Sequence, residues 1–165
     1  MTPRGYSRQQ ILLHWSLAIL ILSQMILHDG IVAVMDGRLS GAPIEPSLTA
    51  KLHIFAGFLI FILAGIRLFV RLDRGVPKAP ASEPAPLKLI AHLTHIALYA
   101  FMLVMPISGA LTWFQDAALA NQAHSTAKYL LAIVILLHIS GALYQHFIAK
   151  TEVLTRMLRA NDETL

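Results

Sequence analysis

Residues 121–148, NQAHSTAKYLLAIVILLHISGALYQHFI, set His124, His138 and His146 into an otherwise apolar run. His124 and His138 are 14 residues apart. That is close to four helical turns, so they share nearly one face and lie roughly 21 Å apart along the axis. Two imidazoles on one face, one near each end of a membrane-length helix, read as two stacked cofactor sites. The rest of the chain must supply their partners.

The 165 residues suggest one domain, and the composition excludes an ordinary soluble one: 56% are hydrophobic and only 13% charged. The apolar residues fall into four blocks, Gln10–His28, Leu52–Val70, Leu93–Phe114 and Lys128–Ile148. Each approaches the ~20 residues that a hydrocarbon core of about 30 Å requires. The expected fold is therefore an all-α bundle of four transmembrane helices at about 7–28, 52–71, 88–114 and 124–149. The linkers are too sparsely polar to coat four such helices in water. The first block resembles a secretory signal, but His14, Trp15 and Gln24 interrupt it and no convincing small-residue cleavage site follows. It is expected to remain as a helix.

Charge sorts by side. Arg4, Arg8, Arg67, Arg71, Arg74, Lys78, Lys88, Lys150, Arg156 and Arg159 fall at one end, while Arg38, Lys51 and Lys128 fall at the other. The positive-inside rule then places both termini in the cytoplasm, and this distribution displaces a nucleic-acid reading of the basic pI. There are no cysteines, so thiolate metal sites, disulfides and cysteine nucleophiles are excluded.

Ser7 to Gln10 reads S-x-x-Q, a capping box that starts the first span, with His14 about two turns in. Trp15 suits an interface anchor. Asp29-Gly30 weakens the helix end, and residues 36–50 read as an external loop. His53 and Arg67 stand near opposite ends of the second span, again 14 residues apart. Gly57 and Gly65 read first as sites of close helix packing and second as room for a cofactor. Residues 73–86 carry four prolines and form an extended cytoplasmic linker. Pro106 should kink the third span, with neighbouring helices or Ser108 satisfying the freed carbonyl. Residues 115–122 form a short loop, and 151–165 a short amphipathic or frayed tail.

A histidine in a membrane helix usually faces the interior with a partner, and for any single one a hydrogen bond is the ordinary explanation. The constellation points further. His14 enters from the inner side on the first span, and His53 lies near the outer side on the second. The fourth span offers one histidine at each level. Axial pairs can be drawn as His14–His138 and His53–His124, and bis-imidazole ligation in a four-helix bundle suits haem iron. Without a C-x-x-C-H motif any haem is the non-covalent b type. A zinc or copper site needs three or four clustered ligands, and the spans hold no Asp or Glu. His146 could replace His138 opposite His14. His92 and His95 could bond haem propionates or a quinone, or simply sit at the interface, and His28 reads as a helix-end residue.

Four stretches together resemble the bacterial cytochrome b561 family: YSRQQILLHWSLA, KLHIFAGFLIFILAGIRLFVRL, LIAHLTHIALYAFMLVMPISGAL and AHSTAKYLLAIVILLHISGALYQHF. The resemblance covers nearly the whole chain, in order. It implies an inner-membrane di-haem protein, with inner-haem ligands on His14 and His138 and outer-haem ligands on His53 and His124. One branch of the family is a superoxide oxidase that passes electrons from periplasmic superoxide to ubiquinone; other members are viewed as quinone-linked carriers. The loop between the third and fourth spans looks shorter here than in that branch, where it covers the outer haem.

The expected activity is transmembrane electron transfer, with superoxide oxidation at the periplasmic side and ubiquinone reduction. Lys51 and Lys128 could steer superoxide to the outer haem or could be interface-snorkelling lysines. Arg67 and Arg71 would face inner propionates or a quinone head group, or anchor the membrane. The competing readings are a haem subunit relaying electrons between the quinone pool and a periplasmic redox protein, and a haem-free transporter with histidine proton relays.

Overall fold

The computed structural model describes residues 3–42 and 44–161. Over these the chain forms α1 (Arg8–Ile26), α2 (Asp29–Leu39), α3 (Leu48–Arg74), α4 (Ala85–Gln115) and α5 (Ala118–Phe147), followed by a 3₁₀ turn at Thr155–Met157. Helices α1, α3, α4 and α5 are each long and apolar enough to cross a membrane. Their outward faces carry large bare side chains, Phe69 at 70% exposed and Phe147 at 68% among them. A surface so continuously apolar is tenable against lipid and not against water.

Local chemistry sets the ends. Ser7 accepts from the Gln10 backbone N–H, and the Gln10 side chain accepts from the Ser7 N–H, completing the expected capping box. Ser47 caps α3 by accepting from the Ala50 N–H at 3.3 Å. Pro86 sits in the first turn of α4, where a missing N–H costs nothing. That helix starts at Ala85, three residues before the expected Lys88.

Three expectations need correction. The external loop expected at 36–50 starts only after Leu39, because Asp29–Leu39 is a helix, with Asp29 in its first turn and Arg38 in its last to complement the dipole. Gly30, which reads as a breaker, is what lets α2 lie against the start of α3. A Cβ there would stand 2.1 Å from Thr49 Oγ1. The second correction concerns the 115–122 loop, which shrinks to Asp116 and Ala117, with α5 beginning at Ala118. Asp116 adopts a left-handed conformation (φ 49°), which its short polar side chain tolerates and which turns the chain in two residues.

The third correction is the tail. Over its described part it is docked rather than frayed: Trp15 Nε1–H donates to the Met157 carbonyl at 2.9 Å, and the Asn161 N–H donates to the Tyr6 carbonyl at 3.0 Å. Pro43 of the expected external loop and residues 162–165 of the expected tail lie outside the described residues.

Close backbone packing joins α1 to α3, α3 to α4 and α4 to α5, with α2 resting on α3. Helix α5 does not close against α1 or α3 in the same way. Gly141 of α5, three residues past His138, stays exposed, and a Cβ there would meet nothing within 4 Å. A small core of Leu17, Ile60, Ala64 and Met102 knits α1, α3 and α4 at mid-depth. It forms an apolar layer between the histidine levels above and below it.

Candidate functional site

The structure assembles the histidines into two groups. His14 of α1 and His138 of α5 have ring centroids 6.1 Å apart; His53 of α3 and His124 of α5 have centroids 6.4 Å apart. A metal–imidazole distance of about 2.0–2.1 Å, with roughly 1.1 Å more to each ring centre, puts the centroids of two opposed ligands about 6.3 Å apart. Both pairs match that spacing. Each also spans the gap that α5 leaves beside α1 and α3.

The glycines test the same fit. A Cβ at Gly65 would meet nothing within 4 Å, and one at Gly57, a turn beyond His53, would meet only Gln24 Nε2 at 4.0 Å. Close helix packing therefore does not explain these two residues, and the room they leave lies on the histidine-bearing helix α3. Gly109 of α4 does serve close approach: a Cβ there would stand 3.3 Å from His124 Cε1.

At the outer level a cavity of about 210 Å³ contains both His53 and His124 in its lining. Its walls are mostly apolar, from Ile54 and Phe58 of α3 to Met105 and Trp113 of α4. Helix α2 adds Ile31, Met35 and Asp36 beside them, with His28 just before its first turn, so this helix, rather than the loop before α5, covers the outer level. It is tied down at its far end, where Arg38 pairs with Asp116 at 2.7 Å and lies over the Trp113 ring at 4.8 Å.

The outer imidazoles are oriented from behind. His124 Nδ1 stands 3.0 Å from the Met105 carbonyl and 3.0 Å from Ser108 Oγ, which itself donates to that carbonyl. A carbonyl can only accept, so the Nδ1 carries the proton and Nε2 keeps its lone pair for a ligand. Gln24 donates to the His53 carbonyl at 2.8 Å, fixing α1 against α3 there. His53 Nδ1 is buried without a hydrogen-bond partner. Ser108 was expected only to heal the Pro106 kink; its place beside His124 is a role the spacing did not reveal.

At the inner level His95 crowds His138, with centroids 5.1 Å apart, too close for a shared axial metal. Its Nδ1–H is committed to the Ala91 carbonyl at 2.6 Å. Arg67 donates to the Gln10 carbonyl at 2.7 Å and lies beside Tyr99, while the Arg71 guanidinium stands 5.8 Å from the Tyr99 ring centre. Tyr6 completes the group. Burial pushes its hydroxyl above the ordinary phenol range, and the nearby Arg71 and Arg67 oppose that push only in part. Tyr99 stands four residues past His95, a helical spacing that could have flagged it, whereas Tyr6 precedes the first span and carries no such signal.

The other candidates disperse. His146 is exposed against Phe147 at 4.8 Å and takes no place opposite His14, and His92 is exposed as well. Lys128 lines the outer cavity, whereas Lys51 is exposed and outside it. Among the described residues no cluster of three or more His, Asp, Glu or Cys side chains is arranged to hold a bare metal ion.

A sequence profile of the prokaryotic cytochrome b561 family matches residues 5–160. The chain belongs to that family. Cytochrome b562 of Cereibacter sphaeroides is 30% identical to it, over 94% of this chain and 96% of the relative. Cytochrome b561 homolog 2 of Escherichia coli K12 is 27% identical, over 95% and 93% of the two chains. Cytochrome b561 homolog 1 of the same organism is 25% identical, over 93% and 96%. As a prokaryotic cytochrome b561 with four membrane-length helices, the protein is a multi-pass membrane haem-b electron-transfer protein.

Proposed function

We propose that the chain carries electrons across the bacterial inner membrane between a one-electron donor at its outer end and a quinone at its inner end. His53 and His124 would hold an outer b haem, and His14 and His138 an inner one. The observation that carries this reading is the pair of imidazole separations, both matched to axial ligation and both built on α5. Bound haem supplies reversible one-electron chemistry at each level. The chain's own residues hold the imidazoles, keep water out with the layer around Leu17 and Met102, and leave opposite ends open to different partners.

At the inner end Arg67, Arg71 and His95 would face propionates or the ubiquinone head group, with Tyr6 and Tyr99 as further hydrogen-bonding neighbours. Both termini would then lie in the cytoplasm, as the ten-to-three division of Lys and Arg supports. At the outer end superoxide would enter beside Lys128, one turn from His124. Neutralising Lys128 should slow superoxide oxidation and flatten its salt dependence. Lys51→Gln, outside the cavity, should do little; equal rates in wild type and Lys128→Gln would remove the steering role.

A second reading has a specific observation in its favour. Asp29, Asp36, Glu45 and Asp116 sit at the end that holds Arg38, Lys51 and Lys128, so carboxylates slightly outnumber cations there. Such a face suits a basic redox protein better than a small anion. Stopped-flow mixing of the purified protein with superoxide separates the two. Rapid haem reduction without any partner supports superoxide as donor, and no reduction favours the relay. A membrane reduced-minus-oxidised spectrum without b-type absorbance would remove both.

A further inference from the structure

The end of the bundle that carries residues 3–5 and 152–161 contains a cleft of about 830 Å³, whose lining includes none of the paired histidines. Three separate segments wall it: residues 3–5, the proline-rich linker at 77–81, and the tail at 152–161. Each contributes cations, Arg4 from the first, Lys78 from the second, and Arg156 and Arg159 from the third; among the described residues Glu152 is the one carboxylate in the lining. Among the described residues none of the four forms an ion pair with a carboxylate. Four positive groups held around one concavity repel one another unless an anion joins them.

The walls are held by specific contacts. Arg156 donates to the Lys78 carbonyl at 3.2 Å, joining tail to linker. The Asn161 N–H donates to the Tyr6 carbonyl, joining tail to N-terminal segment. Gly5 permits that contact, since a Cβ there would stand 2.7 Å from Asn161 Cβ. Pro3, Pro77 and Pro80 restrict the backbone of two of the walls. The side chains of Arg4, Lys78 and Arg159 are exposed and make no hydrogen bond among the described residues. The concavity is thus preformed while its cations remain available.

We infer that this cleft binds a phosphate-bearing anion, through charge-assisted hydrogen bonds from Arg4, Lys78, Arg156 and Arg159. The ligand chemistry is a phosphate group with more than one negative charge. It could be presented by an anionic phospholipid at the membrane surface or by a soluble phosphate compound; basic pockets at the ends of membrane helices suit both. Neither the haem nor the quinone reading enters this assignment.

The test uses the full chain purified in a zwitterionic detergent, with cardiolipin, phosphatidylcholine and inorganic pyrophosphate as probes in binding titrations. The variant Arg4→Gln/Lys78→Gln/Arg159→Gln removes three cleft cations. A second variant, Arg74→Gln/Lys88→Gln/Lys150→Gln, removes three at the same end but outside the cleft. Equal elution volumes and helical circular dichroism establish that both fold. The cleft variant should bind the phosphate probe about a hundredfold more weakly than wild type. The second variant should lose less than a tenth of that factor, and phosphatidylcholine should not respond to either change. Tighter binding of cardiolipin than of pyrophosphate assigns the site to a lipid head group, and the reverse assigns it to a soluble phosphate compound. Equal losses in the two variants, or no anion binding above the phosphatidylcholine level in wild type, would overturn the inference.

Discussion

The outer and inner ends of the bundle hold equivalent imidazole pairs in unlike surroundings. The outer pair looks into an apolar cavity that α2 covers, with one imidazole steered by a carbonyl and a serine and the other, His53, without a hydrogen bond at Nδ1. The inner pair is hemmed by His95, Arg67, Arg71, Tyr6 and Tyr99, beneath a docked tail. The difference assigns the two ends different work. A mostly apolar cavity under a covering helix suits the entry of a donor. A dense cluster of guanidinium and phenol groups suits the fixing of an anionic group or a quinone oxygen.

The largest effect expected to sharpen this contrast comes from filling the open positions a turn from a paired histidine, Gly57 on α3 and Gly141 on α5. Gly57→Leu should evict the outer haem and spare the inner one, while Gly141→Leu should do the reverse, as read by haem-to-protein ratio. Loss of both haems from either variant would show that the two levels are not independent. Next comes Ser108→Ala, which removes one partner of His124 but leaves the Met105 carbonyl. Outer-haem affinity should fall by about tenfold, measured by competition with apomyoglobin, and inner-haem affinity should not change.

The α2 cover supplies the smaller effects. Gly30→Leu forces a side chain into Thr49 and Ser47, at a cost of about 1–3 kcal/mol. Reduction of the outer haem by a water-soluble reductant should accelerate, and reduction of the inner haem should keep its rate. Arg38→Gln breaks a pair whose Asp116 side chain is 57% exposed. A partly solvated pair contributes only about 0.2–1 kcal/mol, so the melting temperature should drop by no more than a few degrees.

The four spans and both histidine pairs were legible because a membrane helix advertises itself in twenty apolar residues and because helical spacing fixes a shared face. Those signals are local. What stayed hidden depends on contacts between distant segments. Gly30 reads as a helix breaker until Thr49 lies against it. Residues 115–122 read as a loop because Asn121 and Gln122 are polar, yet the left-handed Asp116 turns the chain earlier. The tail carries no strong helical pattern, and its contacts to Trp15, Tyr6 and Lys78, all distant in sequence, decide that it docks. Gly57 and Gly65 favoured packing by frequency alone, and only the open space around them points elsewhere.

On the proposed function α5 serves two haems, one through each of its paired imidazoles. Haem per chain, determined by pyridine haemochrome on the purified protein, tests it most directly alongside His53→Ala and His138→Ala. The expected result is two b haems in the wild type and one in each variant, with the surviving spectra differing between the two. A wild type holding a single haem, or a His138→Ala variant that keeps both, would contradict it.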